Sequence, residues 1–280
     1  MQCFLTIDTD GINQNNINFE INNLCFDYSK ELMNFFYLKI PTTVFVRIDE
    51  QISREFYPLH VYDIIKESIS NIDSSLVELG WHPHFFDFEN GKYKSTSNYV
   101  KIVEEMIYWK EHIPIPMHSI RMGACQFNNK IMQTICKLGF KYDSSGLSGC
   151  KRKDELRHYD WSRIDNRPYH PCEKDYQSKG SLELWELPIT TIPIKTIYDN
   201  IPKIRAVNPC IKKKLFQKYF KDFNGELEIL VIAFHADELI TGYKDDLYDY
   251  GFENITSNLE FLNKTLDLDW KLIKDFKCPE

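Results

Sequence analysis

Five short clusters in this chain combine residue types that carry acid–base or metal chemistry. The first is Thr6-Ile7-Asp8-Thr9-Asp10-Gly11. It ends an apolar, β-branched run, and residues i and i+2 of a strand project to the same side. Asp8 and Asp10 therefore point together, and two carboxylates so close repel unless a cation or a shared proton relieves them. Alone, the same residues also suit an ordinary turn. The second cluster is Glu78-Leu79-Gly80-Trp81-His82-Pro83-His84. The same alternation brings His82 and His84 to one side, a spacing that suits two imidazoles on one metal ion. A lone histidine is usually structural; a pair at a strand end beside a pair of acids is more specific. The third is Ser119-Ile120-Arg121-Met122-Gly123-Ala124, an arginine leaving a strand into a glycine turn, for which a surface arginine is the plain alternative. The fourth is Tyr142-Asp143-Ser144-Ser145-Gly146, with Tyr159-Asp160-Trp161 further on. The fifth, Ile232-Ala233-Phe234-His235-Ala236-Asp237-Glu238, places a histidine after an apolar strand, where a satisfied buried histidine is the plain alternative.

The elements that must position these clusters are legible in the period of the apolar residues. Strands are predicted over 2–8, 42–46, 75–84, 119–122, 140–144, 182–191 and 228–235, with a last one at 270–276. Helices are predicted over 29–38, 60–72, 98–112, 128–138, 211–223 and 254–266. Ser29 or Asp27 caps the first, and Gly139 stops the fourth. Strands alternating with helices at this spacing make parallel βαβ units, and about seven of them favour closure into a barrel. The expected fold class is α/β, a distorted (β/α)7-type barrel in one domain over 1–280, with an irregular excursion at about 146–180. In a parallel barrel the catalytic face lies at the C-terminal ends of the strands, where all five clusters fall.

Composition narrows the partners. The 280 residues carry a net charge of -7 and a pI near 5.7, which argues against a nucleic-acid or anionic-membrane partner needing a basic face. The eight cysteines form no C-x-x-C pair. The N-terminus has no basic, apolar export pattern, and no segment reaches the ~20 apolar residues of a membrane span. Cytoplasm is the expected compartment, and the Asn254 and Asn263 N-x-T triplets are then chance matches. No phosphate-binding glycine loop is present. Lys212-Lys213-Lys214 reads as a solvated face and Asp245-Asp246 with Asp249 as an acidic loop. Trp81, Phe85, Phe86 and Trp161 suit either a sugar pocket or the core.

The ordered set D-x-D, H-x-H, Arg-x-Gly, Tyr-Asp-Ser and Phe-His resembles the polysaccharide deacetylases (carbohydrate esterase family 4, the NodB-homology domain), from Asp8 to His235. Glu186-Leu187-Pro188-Ile189-Thr190 looks like the strand before the last motif in members tied to lipopolysaccharide or O-antigen synthesis. The resemblance implies Asp8 as catalytic base, Arg121 as the residue that positions it, and His235 as general acid, oriented by Asp143 or Asp160. It implies one divalent metal held by Asp10, His82 and His84, with zinc first and Co2+, Fe2+, Ni2+ or Mn2+ suiting the same ligands. Trp161 would wall the acyl pocket, Trp81 and Tyr142 would face the substrate, and a backbone N–H near Tyr142 would meet the developing oxyanion. Two departures stand out: Thr9 separates acids that the family usually holds adjacent, and Phe86 occupies the usual i+4 histidine position, leaving His84 as second ligand. The implied activity is removal of an N-acyl, chiefly N-acetyl, group from a nucleotide- or lipid-linked sugar in surface-polysaccharide synthesis. The alternatives are a metal-dependent amidohydrolase or phosphoesterase on another small molecule, and a catalytically silent carbohydrate-binding barrel. The oligomeric state is left open.

Overall fold

A computed structural model describes residues 1–10, 12–13, 24–25, 28–89, 92–153, 158–221, 227–240 and 242–279. Gly11 and the alternative helix cap Asp27 lie outside the described residues. Seven strands form one parallel sheet: β1 (Gln2–Asp8), β2 (Thr42–Val46), β3 (Val77–Trp81), β4 (Ser119–Ile120), β5 (Tyr142–Asp143), β6 (Trp185–Glu186) and β7 (Ile229–His235). Their spatial order is β6-β5-β4-β3-β2-β1-β7, so the chain winds outward from β1 in one direction and adds β7 on the other side. A short eighth strand, β8 (Asp269–Lys271), pairs with Gln2 to Phe4 and covers the lower part of the β1 edge that β2 leaves open.

The sheet curls into a distorted barrel whose seam is not a strand ladder. Beyond β6 the chain crosses to β7 through Thr190, whose N–H donates to Val231 O (3.0 Å) and whose Oγ1 accepts from Val231 N–H (2.9 Å). Val207 completes the seam, donating to Thr190 O and accepting from Ala233 N–H. Pro188 helps explain why the predicted 182–191 strand breaks here, since proline has no N–H for a ladder.

Alternation sorts side chains between two cores. Phe4, Phe45, Leu187, Val231, Ile273 and Phe276 fill the lower barrel interior. Cys3, Leu5 and Ile7 of β1 belong instead to the larger core between sheet and helices. The helices are α1 (Ser29–Phe36), α2 (Glu50–Glu55), α3 (His60–Ser68), α4 (Tyr99–Lys110), α5 (Asn129–Lys137), α6 (Lys213–Lys221) and α7 (Phe252–Thr265). All but the short α2, which buries Gln51 and Ile52, bury two or more apolar side chains. Phe35 of α1, for example, meets Phe234 of β7 edge to face at 5.4 Å, and such a buried ring contributes about 1.5–3 kcal/mol. Asn98 and Asn128 cap α4 and α5 through their side-chain oxygens. The first helix differs from expectation: Tyr28 precedes it with no side-chain cap.

The predicted last strand is mostly a plug. Only Asp269–Lys271 is strand; Ile273–Asp275 forms a 3-10 turn that closes the barrel bottom. Its Ile273 N–H donates to Thr43 Oγ1 (3.0 Å) and its Lys274 N–H to the buried Glu78 (2.8 Å). Thus the lower end is closed and the strand C-termini remain as the face for chemistry. Two hairpins on that face are unpredicted, Phe86–Glu89 with Lys92–Ser95, and Thr191–Ile194 with Lys203–Ala206, the second starting at the last residue of the predicted 182–191 strand. Among the described residues no helix is long and apolar enough to cross a membrane.

Candidate metal and acid–base site

At the top of the barrel β1 and β3 deliver three ligand atoms to one point. Asp10 Oδ1 lies 3.0 Å from His84 Nε2 and 3.4 Å from His82 Nε2, and the two imidazole nitrogens are 3.1 Å apart. Tetrahedral zinc with bonds of 2.0–2.1 Å spaces its ligands by about 3.3 Å, so the triangle has the right size. His82 is buried, and its Nδ1 lies 2.8 Å from Arg121 O. That carbonyl can only accept, so Nδ1 carries the proton and Nε2 turns a bare lone pair to the triangle. Asp10 Oδ1 is buried with no hydrogen-bond donor. An orphaned carboxylate oxygen facing two imidazole nitrogens is a donor set for a cation, and the residues fit a divalent metal.

The charges agree with that fit. Burial would raise the Asp10 carboxyl, but His84 and His82 outweigh it and hold it well below the usual range. Burial opposes the charged form of His82, yet Asp8 and Asp10 together hold its pKa above the ordinary value. Burial takes His84 the other way, lower. The two aspartates thus favour positive charge at this spot, which a metal ion would supply.

Thr9 explains the D-x-D spacing. Its Oγ1 donates to Phe45 O (3.1 Å) and accepts from Arg47 N–H (3.0 Å). The intervening residue pins the end of β1 to β2 while both acids face the barrel axis. Asp8 accepts from Arg121 Nη1 at 2.8 Å. Two further guanidinium donors are fixed on Ser144, Nε to its carbonyl (2.8 Å) and Nη2 to its hydroxyl (2.9 Å). The guanidinium carbon lies 4.4 Å over the Phe45 ring. Gly123 completes the Arg-x-Gly logic, because a Cβ there would come within 2.3 Å of the His84 ring. The cluster thus orients Asp8, fixes the His82 tautomer and leaves room for His84.

Two supports escape sequence reasoning. Arg47-Ile48-Asp49 follows β2 with the same i, i+2 pattern. Arg47 donates to Asp49 through Nε (2.9 Å) and Nη2 (3.1 Å) and sits 3.9 Å from Asp10 Oδ1. Asp49 also accepts from His84 N–H (3.2 Å) and caps α2 through Ile52 N–H (3.1 Å). Burial would lower the Arg47 pKa, but Asp49 and Asp10 raise it, so the guanidinium stays charged. The second support is Glu238, three residues after His235.

His235 Nε2 lies 3.6 Å from Asp10 Oδ2, and its Nδ1 lies 3.6 Å from Glu238 Oε1. The other Glu238 oxygen accepts from His235 N–H and from Asn208 Nδ2, both at 2.9 Å. Burial alone would lower the His235 pKa, but Glu238 first, then Asp10 and Asp8, hold it well above the ordinary value. The His235 side chain remains 43% exposed, so its ring is open to a bound molecule.

Other expected site residues lie elsewhere. Asp143 does not face His235. Tyr142 points into the barrel, so its neighbour Asp143 points out, beside Glu186 of β6. Burial pushes both carboxyls up, Asp143 to about 6, so the pair shares a proton instead of carrying two charges. Asp143 accepts from Ser145 N–H, and Ser145 Oγ accepts from Met122 N–H, which ties β5 to the arginine turn. Asp160 sits on the 146–180 excursion, paired with Lys151 at 2.5 Å. The residue against His235 is Glu238. Trp81 likewise faces the helices, opposite to His82, with its indole N–H on Ile48 O (2.9 Å) and no exposed surface. Tyr142 directs its hydroxyl to Lys274 O at the barrel bottom, and its N–H is taken by His118 O. Trp161 is fully buried and donates to Cys125 O (3.1 Å). It props the turn beside His84 and offers no wall to a ligand.

No protein-family model matches the chain, and no curated protein matches it. Solved structures do. A protein from Mycobacterium smegmatis, provisionally assigned as a polysaccharide deacetylase, is 14% identical with a TM-score of 0.55, over 98% of this chain and 87% of its own. The similarity establishes the fold. One from Bordetella bronchiseptica, provisionally assigned as a polysaccharide deacetylase involved in O-antigen biosynthesis, is 12% identical with a TM-score of 0.45, over 94% of this chain and 90% of its own. A 4-alpha-glucanotransferase from Thermococcus litoralis is 10% identical with a TM-score of 0.45, over 98% of this chain but 37% of its own.

Proposed function

We propose that this chain is a metal-dependent hydrolase of the polysaccharide-deacetylase kind, removing an N-acyl group, acetyl first, from a nucleotide- or lipid-linked sugar. The observation that carries the reading is the convergence of one ligand triangle, one arginine-held carboxylate and one exposed, carboxylate-backed histidine at adjoining strand ends. A divalent cation on Asp10, His82 and His84, with zinc first, would polarise the acyl carbonyl and acidify water. Asp8, fixed by Arg121, takes a proton from the attacking water as its oxygen bonds to the acyl carbon. His235 gives its Nε2 proton to the nitrogen as the carbon–nitrogen bond breaks, releasing a carboxylic acid and a free amino sugar. An amine is a poor leaving group without that proton, so both transfers count. The test is acetate release from metal-loaded protein across N-acetylated nucleotide sugars and lipid-linked donors. Acetate from any of them supports the reading, and none from the whole panel overturns it.

Glu238 acts through His235, and pH exposes it. A general acid works protonated, so turnover falls as pH rises through the His235 pKa, which Glu238 holds up. In Glu238→Gln the amide oxygen can keep the bonds to His235 N–H and Asn208, while its NH2 replaces the negative oxygen near Nδ1. Losing that charge lowers the His235 pKa. The alkaline limb of kcat/KM is therefore expected to move to lower pH, with activity above it down roughly 10–100-fold. A pH–rate profile matching the parent would remove Glu238 from this role.

A further inference from the structure

The hairpin of Thr191–Ile194 and Lys203–Ala206 stands on the catalytic rim. It leaves just beyond β6 and returns at Val207, whose carbonyl accepts from Ala233 N–H, two residues before His235. Its inward residues Ile192 and Ile194 are buried, yet its tip carries Ile197, Tyr198 and Ile201 at 85%, 78% and 71% exposure. Ile204, opposite Pro193 on the outward face, adds to them. Apolar side chains grouped at the end of a projecting hairpin mark a contact surface.

The tip is also built to show no acid. Asp199 is buried beneath it and accepts from Thr196 N–H (3.0 Å) and Thr196 Oγ1 (2.9 Å). Lys203 (2.8 Å) and Arg205 (2.9 Å) neutralise it. From Lys195 to Lys221 the sequence holds seven lysines and one arginine against that single aspartate, a net of +7 in a chain of net -7. Three of these cations, Lys195, Lys203 and Arg205, belong to the hairpin with Asp199; the other five lie beyond it, from Lys212, whose N–H donates to Leu247 O, into α6. There Lys214, Lys218 and Lys221 border one shallow depression. At physiological salt charges beyond about 8 Å are screened, so the hairpin's own cations and its one aspartate set the sign that an approaching surface meets.

We propose that this hairpin docks the protein on an anionic lipid bilayer, with Ile197, Tyr198 and Ile201 entering the interface and Lys195 and Lys203 of the same hairpin meeting lipid phosphates. Resting on the hydrolase reading, it follows that the rim site draws its N-acyl sugar from a lipid-linked donor held at that surface. Aliphatic and tyrosine side chains flanked by lysine match an interface whose outer layer is anionic and whose inner layer is apolar. A protein partner would also cover an apolar tip, but the hairpin's three cations, Lys195, Lys203 and Arg205, against its one acid favour the anionic lipid surface.

The test is co-sedimentation with phosphatidylglycerol–phosphatidylcholine vesicles and with pure phosphatidylcholine vesicles, using the full chain without substrate. Binding to the anionic vesicles is expected, weakened by salt and at least about tenfold weaker on neutral ones. The triple variant Ile197→Ser, Tyr198→Ser, Ile201→Ser should bind the anionic vesicles at least about tenfold more weakly while melting like the parent. No vesicle binding, or equal binding by parent and variant, overturns the proposal. Concentration-dependent dimers that the variant loses, without vesicle binding, also overturn it and assign the tip to a second copy. This readout needs no turnover, so it stands or falls apart from the hydrolase reading. If both hold, the variant loses activity on a vesicle-held lipid-linked sugar and keeps it on a water-soluble one.

Discussion

His82→Ala is expected to abolish stoichiometric metal, with affinity falling by about a thousandfold or more, because it removes one corner of a three-ligand site. Elemental analysis of dialysed protein reads this directly. His82 is buried and its orientation is fixed by Arg121 O, and among the described residues the ligand group is Asp10, His82 and His84, so its loss leaves two corners of three. His84→Ala should behave alike, since its Nε2 makes the shortest edge with Asp10. Stability gives a second readout. A ligand that binds only the folded state stabilises it by about 2.7 kcal/mol at a hundred times its Kd, so zinc should raise the melting temperature of the parent and of neither variant. Without added metal, His82→Ala leaves the Arg121 carbonyl unpartnered, which costs about 1–3 kcal/mol relative to the parent. Full metal in both variants places the site elsewhere. Full metal in His84→Ala alone means that the third ligand lies outside the H-x-H pair.

How far the sequence carries the site follows from what alternation can decide. Period 2 alone brings Asp8 with Asp10 and His82 with His84, because side-chain direction along a strand needs no tertiary information. The same rule, applied one residue further, turns Trp81 away from His82 and Asp143 away from the barrel axis. Their aromatic and acidic types suggest substrate and histidine partners, and that suggestion competes with the geometry and loses. Arg47 and Asp49 carry the same i, i+2 signature after β2. Their value appears only through contacts across strands: Asp49 holds the His84 N–H, 35 positions away in sequence. Glu238 stands in the fifth cluster with no role legible from its position, since i+3 on a 3-10 turn brings it back to the imidazole and a strand continuation would not. Strand number and direction are legible from the alternating apolar runs. The seam is not, because Thr190 and Val207 close it with isolated hydrogen bonds that leave no periodic trace. The plug at Ile273–Asp275 reads as strand for a similar reason: a short apolar run looks alike in either state.

Asp8→Asn separates the two aspartates and should produce a large loss of turnover without loss of metal. Asparagine keeps the shape and can keep an oxygen on Arg121 Nη1, the 2.8 Å bond that fixes the carboxylate. It cannot take a proton from water. General-base catalysis of this kind contributes about 10²–10⁴, so kcat/KM should fall by roughly that factor. Metal content should stay near the parent value, because the ligand triangle uses Asp10, whose Oδ1 is the atom within 3.4 Å of both imidazole nitrogens. The neighbouring Asp10→Asn supplies the contrast, losing metal and turnover together. KM adds a check: a base that acts only as the water attacks lowers kcat and leaves substrate binding nearly unchanged. Metal loss in Asp8→Asn with retention in Asp10→Asn would exchange the roles of the two residues. Unchanged turnover in Asp8→Asn would move the base to another group and leave the Arg121–Asp8 pair as a structural strut beneath the site.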